Sequence, residues 1–199
     1  MSAVDDLLQA FQRYVASRSD PILRRFIAGF DWRMGGRLLA ARSLPVVSYL
    51  NDLHRPADVA ESELFSSLVG AADALHWAQT YNIADFGADF LQRYCWVELF
   101  GTRGHFVSDE MAGGFLLLGP DVHYPDHHHI AEEIYIPLTE GSLWSKDSQA
   151  FLPRWTGEII HHPSDIRHAM RTEGIPLVAL YLWRGGPLAQ KSTIAGRAE

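Results

Sequence analysis

Apolar positions repeat at helical spacing through the first half of the chain and in short runs through the second, with the change near residue 95. Leu7, Leu8, Phe11, Tyr14 and Val15 fall three or four apart, the stripe of an amphipathic helix, and Ser2 or Asp5 is available to cap its start. Pro21 to Phe30 predicts a second, shorter helix. The segment from Asp31 to Pro45 contains the Gly35-Gly36 pair and ends on proline, which predicts loop with a short helix. From Pro56 to about Thr80 the pattern is rich in Ala, Leu and Glu and broken only by Gly70, so a long helix is expected, with one more from Ala84 to Tyr94.

After Cys95 the apolar runs shorten and Gly, Pro and Asp separate them: WVELFG, HFVSDE, GGFLLLGPD, EEIYIPLTEG, GSLWSKD, AFLPRWTGEII and IPLVALYLWRGG. Many short strands joined by turn residues predict a small antiparallel barrel or sandwich. The expected organisation is therefore mainly β with an α-helical N-terminal region: residues 1–94 helical and packed on the barrel, residues 95–199 the barrel itself.

Composition removes several classes of function. With Lys and Arg at 17 against Asp and Glu at 24, and no basic cluster, the chain is not expected to bind nucleic acid. The start, MSAVDDLLQAFQRY, is acidic and helical rather than a basic and apolar leader, and no apolar run approaches the roughly 20 residues of a membrane span. One cysteine, Cys95, leaves no internal disulfide, so a reducing cytoplasm is the expected compartment. A monomer or homodimer is expected.

Candidate chemistry is concentrated in His123–Tyr135, HYPDHHHIAEEIY. Read as one strand, it alternates between faces, so His127, His129, Glu133 and Tyr135 point one way and His128 and Glu132 the other. Histidine with carboxylate favours a divalent ion such as Zn, Fe, Mn, Ni or Co. Glu132 or Asp126 is available to hold a histidine from behind, and His123 is expected at the surface or in an outer, substrate-contacting position rather than as a ligand. Tyr135 shares the face of Glu133, and a nearby cation would draw its phenol, ordinarily titrating near pH 10, toward the working range. His54 and His76 stand alone and are expected to have surface or packing roles.

Two motifs carry a resemblance. His127-x-His129-x-x-x-Glu133, followed by Pro137 and Gly141, is similar to the first motif of the cupins, and Gly157 to His168, with Pro163 and a terminal histidine, is similar to the second. Asp165 stands where that motif usually has glycine, and aspartate tolerates tight turns. The resemblance implies a cupin barrel, a double-stranded β-helix or jelly roll, with His127, His129, Glu133 and His168 as metal ligands; His161 and His162 compete for the last place. With Tyr124, Tyr135 and the late Trp183 added, the chain resembles the cupin-type lyases of dimethylsulfoniopropionate (DMSP), the dimethylpropiothetin dethiomethylases of marine bacteria. That family implies a carbon–sulfur lyase in which a metal site and a tyrosine release dimethyl sulfide and acrylate; from the chemistry of the substrate, its carboxylate is expected on the metal and Tyr135 is expected to act as general base. The sulfonium has no N–H to bond, so aromatic faces suit it: Tyr124 and Trp183 are the candidates, with Trp144 and Trp155 behind them. Rival readings are a cupin oxygenase acting on a small organic acid and a cupin that only binds a small molecule.

Overall fold

In the computed structural model, which describes residues 2–195, the helices form where the apolar stripe lies but end earlier than the periodicity predicts. Helix α1 (Ala3–Ser17) begins with a capping box: Ser2 Oγ accepts the Asp5 N–H, and the Asp5 carboxylate accepts the Ser2 N–H at 2.7 Å. Its buried stripe is Leu7, Phe11, Tyr14 and Val15. Helix α2 (Pro21–Ile27) starts at the Asp20 cap and stops short of Phe30, because Gly29 turns to φ 73°. Helix α3 (Val59–Ala71) runs against α1.

The long helix expected as far as Thr80 is corrected at Ala71. A 3-10 turn over Ala72–Ala74 redirects the chain, Trp77 is buried with its indole N–H on the Ala72 carbonyl, and Ala78 then pairs with Trp96 in an isolated antiparallel bridge. Helix α4 (Ile83–Gln92) kinks at Gly87, φ 81°. It ends before Tyr94, which is already the first residue of the barrel. The segment from Asp31 to Pro45 is extended rather than helical: Gly36 bridges to Phe106 and Arg42 to His76.

The strands are β1 (Tyr94–Gly101), β2 (Phe106–Val107), β3 (Met111–Leu118), β4 (His123–His128), β5 (Glu132–Pro137), β6 (Ser142–Lys146), β7 (Leu152–Arg154), β8 (Ile160–His162), β9 (His168–Thr172), β10 (Leu177–Arg184) and β11 (Thr193–Ile194). They form two sheets in the orders β2-β1-β3-β10-β5-β8 and β11-β4-β9-β6-β7, antiparallel except for β1 with β2. This is the expected two-sheet cupin barrel behind a helical N-terminal region.

The first sheet has two apolar faces. Outward, Val97, Leu99, Phe115, Leu117, Leu180 and Leu182 pack with the helices in one core; Phe11 sits edge-on to Phe100 at 5.3 Å and to Phe115 at 5.7 Å. Inward, Tyr94, Leu116, Tyr135, Ala179 and Tyr181 form a second, aromatic core inside the barrel. Burial on both sides explains why every residue of β3 is buried. After β10 the chain crosses the barrel mouth, where Leu188, Gln190 and Ser192 wall the interior and β11 closes against β4.

The stretch His123–Tyr135 is two strands in different sheets, not one: β4 belongs to the five-stranded sheet and β5 to the six-stranded. His129 to Ala131 makes the crossing between them. A register shift in β4 between Tyr124 and His127 changes the alternation, so that Tyr124 and His127 are both buried while His123 is exposed.

Candidate metal centre

The two-sheet crossing brings three buried side chains together from three elements. His129 comes from the turn after β4, Glu133 from β5 and His168 from the start of β9, and their ligand atoms all lie within 4.8 Å of one another. Glu133 is the hub. Its Oε2 is 3.0 Å from His129 Nε2 and 3.1 Å from His168 Nε2, and its Oε1 accepts the indole N–H of Trp183 at 2.5 Å.

Each imidazole is fixed from behind. His129 Nδ1 lies 2.9 Å from the Ala131 carbonyl and His168 Nδ1 3.0 Å from the Ile166 carbonyl. A carbonyl only accepts, so Nδ1 carries the proton and a neutral ring turns its Nε2 lone pair toward Glu133. Two lone pairs and a carboxylate facing one another repel unless a cation or a proton lies among them. His168 Nε2 is also out of line for a hydrogen bond despite its short distance. The donor set therefore fits a divalent ion held by two imidazoles and one carboxylate. Burial alone would raise the Glu133 pKa, but the surrounding imidazoles, His129 foremost, hold it well below the usual carboxylate range.

Of the other expected ligands, His127 stands beside this group. Its ring is 4.1 Å from that of His168 and stacks on Tyr124 at 4.0 Å, with Nδ1 on the Pro125 carbonyl. Burial, then the neighbouring His168, pushes its pKa well down. Of the two histidines that competed with His168, β8 alternation sends His161 outward to Glu132, 2.6 Å away, and His162 inward. His162 stacks on His168 at 4.1 Å with Nδ1 3.6 Å from Glu133 Oε2, and neither ring nitrogen has a hydrogen-bond partner among the described residues. Near-parallel rings, 16° apart, cannot both direct a lone pair at one ion, so His162 neighbours the centre rather than completing it.

Tyr135 lines the same cavity as Glu133 and His127, its ring 6.4 Å from that of His168. Burial and then the Glu133 carboxylate push its hydroxyl well above the ordinary tyrosine range, so without a cation nearby it stays a phenol. Tyr124 also lines the cavity, with its hydroxyl 2.8 Å from that of Tyr81. Trp183 lines it too, but one face is already stacked on His129 at 4.0 Å and its N–H is given to Glu133.

His123 is not brought in. It is exposed, with its ring 5.7 Å from Phe151. Trp155 is 70 % exposed and also outside, whereas Trp144 is buried 5.1 Å from Tyr135. Trp96, Glu98 and Tyr181 also line the cavity and carry no motif; their inward positions on the strands are the only signal that could have found them.

Comparison with known proteins identifies the family. The profile of the dimethylsulfoniopropionate lyase family matches residues 36–179. The chain is 30% identical to dimethylsulfoniopropionate lyase DddQ of Ruegeria pomeroyi over 92% of its own length and 90% of that protein. It is 27% identical to the putative dimethylsulfoniopropionate lyase DddL of Cereibacter sphaeroides over 60% of this chain and 50% of that one. The crystal structure of DMSP lyase DddQ from Ruegeria pomeroyi superposes with a TM-score of 0.88 at 28% identity, covering 99% of this chain and 98% of that one. A structure reported with the DMSP lyases RdDddP and RnDddQII gives the same score at 30% identity, covering 97% of both. The expected enzyme class, a carbon–sulfur lyase, is that of these relatives, and the chain belongs to the dimethylsulfoniopropionate lyase family.

Proposed function

We propose that this chain cleaves DMSP to dimethyl sulfide and acrylate by β-elimination. The observation that carries this reading is the meeting of His129, Glu133 and His168 beside the cavity that Glu133 and Tyr135 both line, within a chain of this family. His129, Glu133 and His168 hold the ion, with His127 the next candidate ligand. A divalent ion there, Zn, Fe, Mn, Ni or Co, supplies Lewis-acid charge that acidifies both the proton next to a bound carboxylate and a nearby phenol.

Tyr135 is the general base. Its phenolate oxygen takes the proton from the carbon next to the carboxylate; that C–H pair becomes the C=C bond of acrylate, and the C–S pair leaves on sulfur as neutral dimethyl sulfide. No acid is needed, because a sulfonium leaves without protonation. Trp183 holds Glu133 in position and stacks on His129, while Tyr124, tied to Tyr81, gives the pocket an aromatic wall for the cation. Mixing purified, metal-loaded protein with DMSP in the absence of oxygen and measuring dimethyl sulfide in the headspace tests the reading. Release without oxygen is expected, and a strict oxygen requirement would point to an oxygenase.

A further inference from the structure

The cavity has a second charged wall, away from the imidazoles. Along β1, Cys95, Val97 and Leu99 pack outward on the helices, while Tyr94, Trp96 and Glu98 turn inward. The register then runs straight across the sheet: Glu98 opposite Gly114, Gly114 opposite Tyr181, and Tyr181 opposite Tyr135. Glu98 and Tyr135 thus share one row of the barrel wall, three strand spacings or about 14 Å apart across the sheet, and both line the same cavity. Gly114 adds no side chain to that row. Backbone contact requires this, since a Cβ there would lie 1.9 Å from the Val97 carbonyl oxygen.

Glu98 is 4 % exposed and is a carboxylate with an incomplete counter-charge. Its Oε1 accepts the Arg103 N–H at 2.6 Å, and its Oε2 faces the Arg103 guanidinium at 3.3 and 3.4 Å, the long end of hydrogen bonding. The Arg103 side chain is 44 % exposed, so its charge is largely screened by water while that of Glu98 is not. The guanidinium also lies 4.9 Å over Trp96, which joins an aromatic face to this carboxylate. A buried anion beside an indole is what a cation without N–H groups can use, because it is attracted by charge and by π faces but by no hydrogen bond.

Resting on the DMSP lyase reading, we propose that Glu98, with Trp96, is the pole of the pocket that receives the sulfonium end of the substrate and selects cationic propionates, with Arg103 moderating its charge. The substrate's two charges then lie at opposite ends of the cavity: carboxylate toward His129, Glu133 and His168, sulfonium toward Glu98. This keeps the sulfonium away from the ion.

Two propionates of the same shape separate charge from fit: 3-(trimethylammonio)propionate, which is cationic at its far end, and 4,4-dimethylpentanoate, which is neutral there. Calorimetric titration of the metal-loaded protein should show a preference for the first. Glu98→Gln should cut that preference about tenfold, the scale of one desolvated cation contact, with metal content and affinity for the neutral compound unchanged. Arg103→Met, which removes the counter-charge, should strengthen it. A residue that merely staples the loop after β1 would move both variants the same way. The proposal is overturned if Glu98→Gln keeps the wild-type preference or if both variants shift it together. Should Glu98→Gln not fold, Arg103→Met decides alone: an unchanged or weaker preference overturns the proposal. Dimethyl sulfide release by the wild-type protein with such a result removes this assignment only, whereas no release removes the lyase reading.

Discussion

Glu133 is the residue on which the others depend, and its surroundings make two predictions. Trp183 donates to Glu133 Oε1 and stacks on His129. Trp183→Phe keeps the stacking and loses the donor, so metal affinity measured by competition with a chelator should fall about 10–100-fold, the usual cost of an outer partner. The second prediction concerns acid. His162 is held neutral by burial and by His168, with its pKa lowered to about 3, while in the unfolded chain it titrates near 6.5. The unfolded state therefore binds the proton first as pH falls, so this contribution to stability is complete above 6.5 and shrinks between about 6.5 and 3. At pH 5 the metal-free protein should have lost on the order of 2 kcal/mol on this account. Denaturant unfolding of wild type and His162→Asn at pH 7 and pH 5 measures it: the pH loss should be smaller in the variant. At this scale the sequence was largely legible. His129, Glu133, His168 and Tyr135 could be singled out because motif spacing is local. His123 was set apart from the ligands but kept as a substrate contact, because what turns it outward is the register shift after Tyr124. Glu98 and Tyr181 carry no motif and become visible only once the strands pair.

Among the elements, the turn before β9 tests how far a non-glycine residue can serve. Asp165 sits at φ 63°, the left-handed region, and its carboxylate is 2.6 Å from His128 Nδ1 on the exposed side. Asp165→Gly should change stability by no more than about 0.5 kcal/mol, since it relieves the backbone and removes only a surface pair. Asp165→Val should cost roughly 1–2 kcal/mol or more, because a β-branched side chain cannot rest there. Thermal unfolding of the two variants gives the comparison. Helix existence was legible from apolar spacing, but helix ends were not. The periodic pattern past Ala71 is overridden by burial of Trp77 and by pairing of Ala78 with Trp96, and neither tertiary gain is written in local propensity. The single strand expected over His123–Tyr135 failed for a related reason. Alternating parity survives the crossing by accident of length, so Glu133 and Tyr135 still face His127 although two sheets hold them.

For the whole molecule, the helical half is a wall of the barrel rather than an appendage. Phe11 of α1 is fully buried, edge-on to Phe100 and Phe115 of the sheet. Phe11→Ala should cost about 3–5 kcal/mol in equilibrium unfolding, with dimethyl sulfide release retained in the folded fraction, because the outer core touches the site only through the sheet. The helix-then-strand order was legible because the period of apolar residues changes near Cys95. That both faces of one sheet are buried, with helices outside and a pocket inside, was not, since a run such as that of β3 reads the same in either arrangement. Among the described residues, no helix is long and apolar enough to cross a membrane. The most direct measurement is anaerobic headspace analysis of metal-loaded wild type and Tyr135→Phe supplied with DMSP, with metal content determined on the same samples. The expected result is dimethyl sulfide and acrylate in equal amounts from wild type and a loss of about 10²–10⁴-fold in the variant at unchanged metal content. Near-full activity in Tyr135→Phe, or no dimethyl sulfide from the wild type, would contradict it.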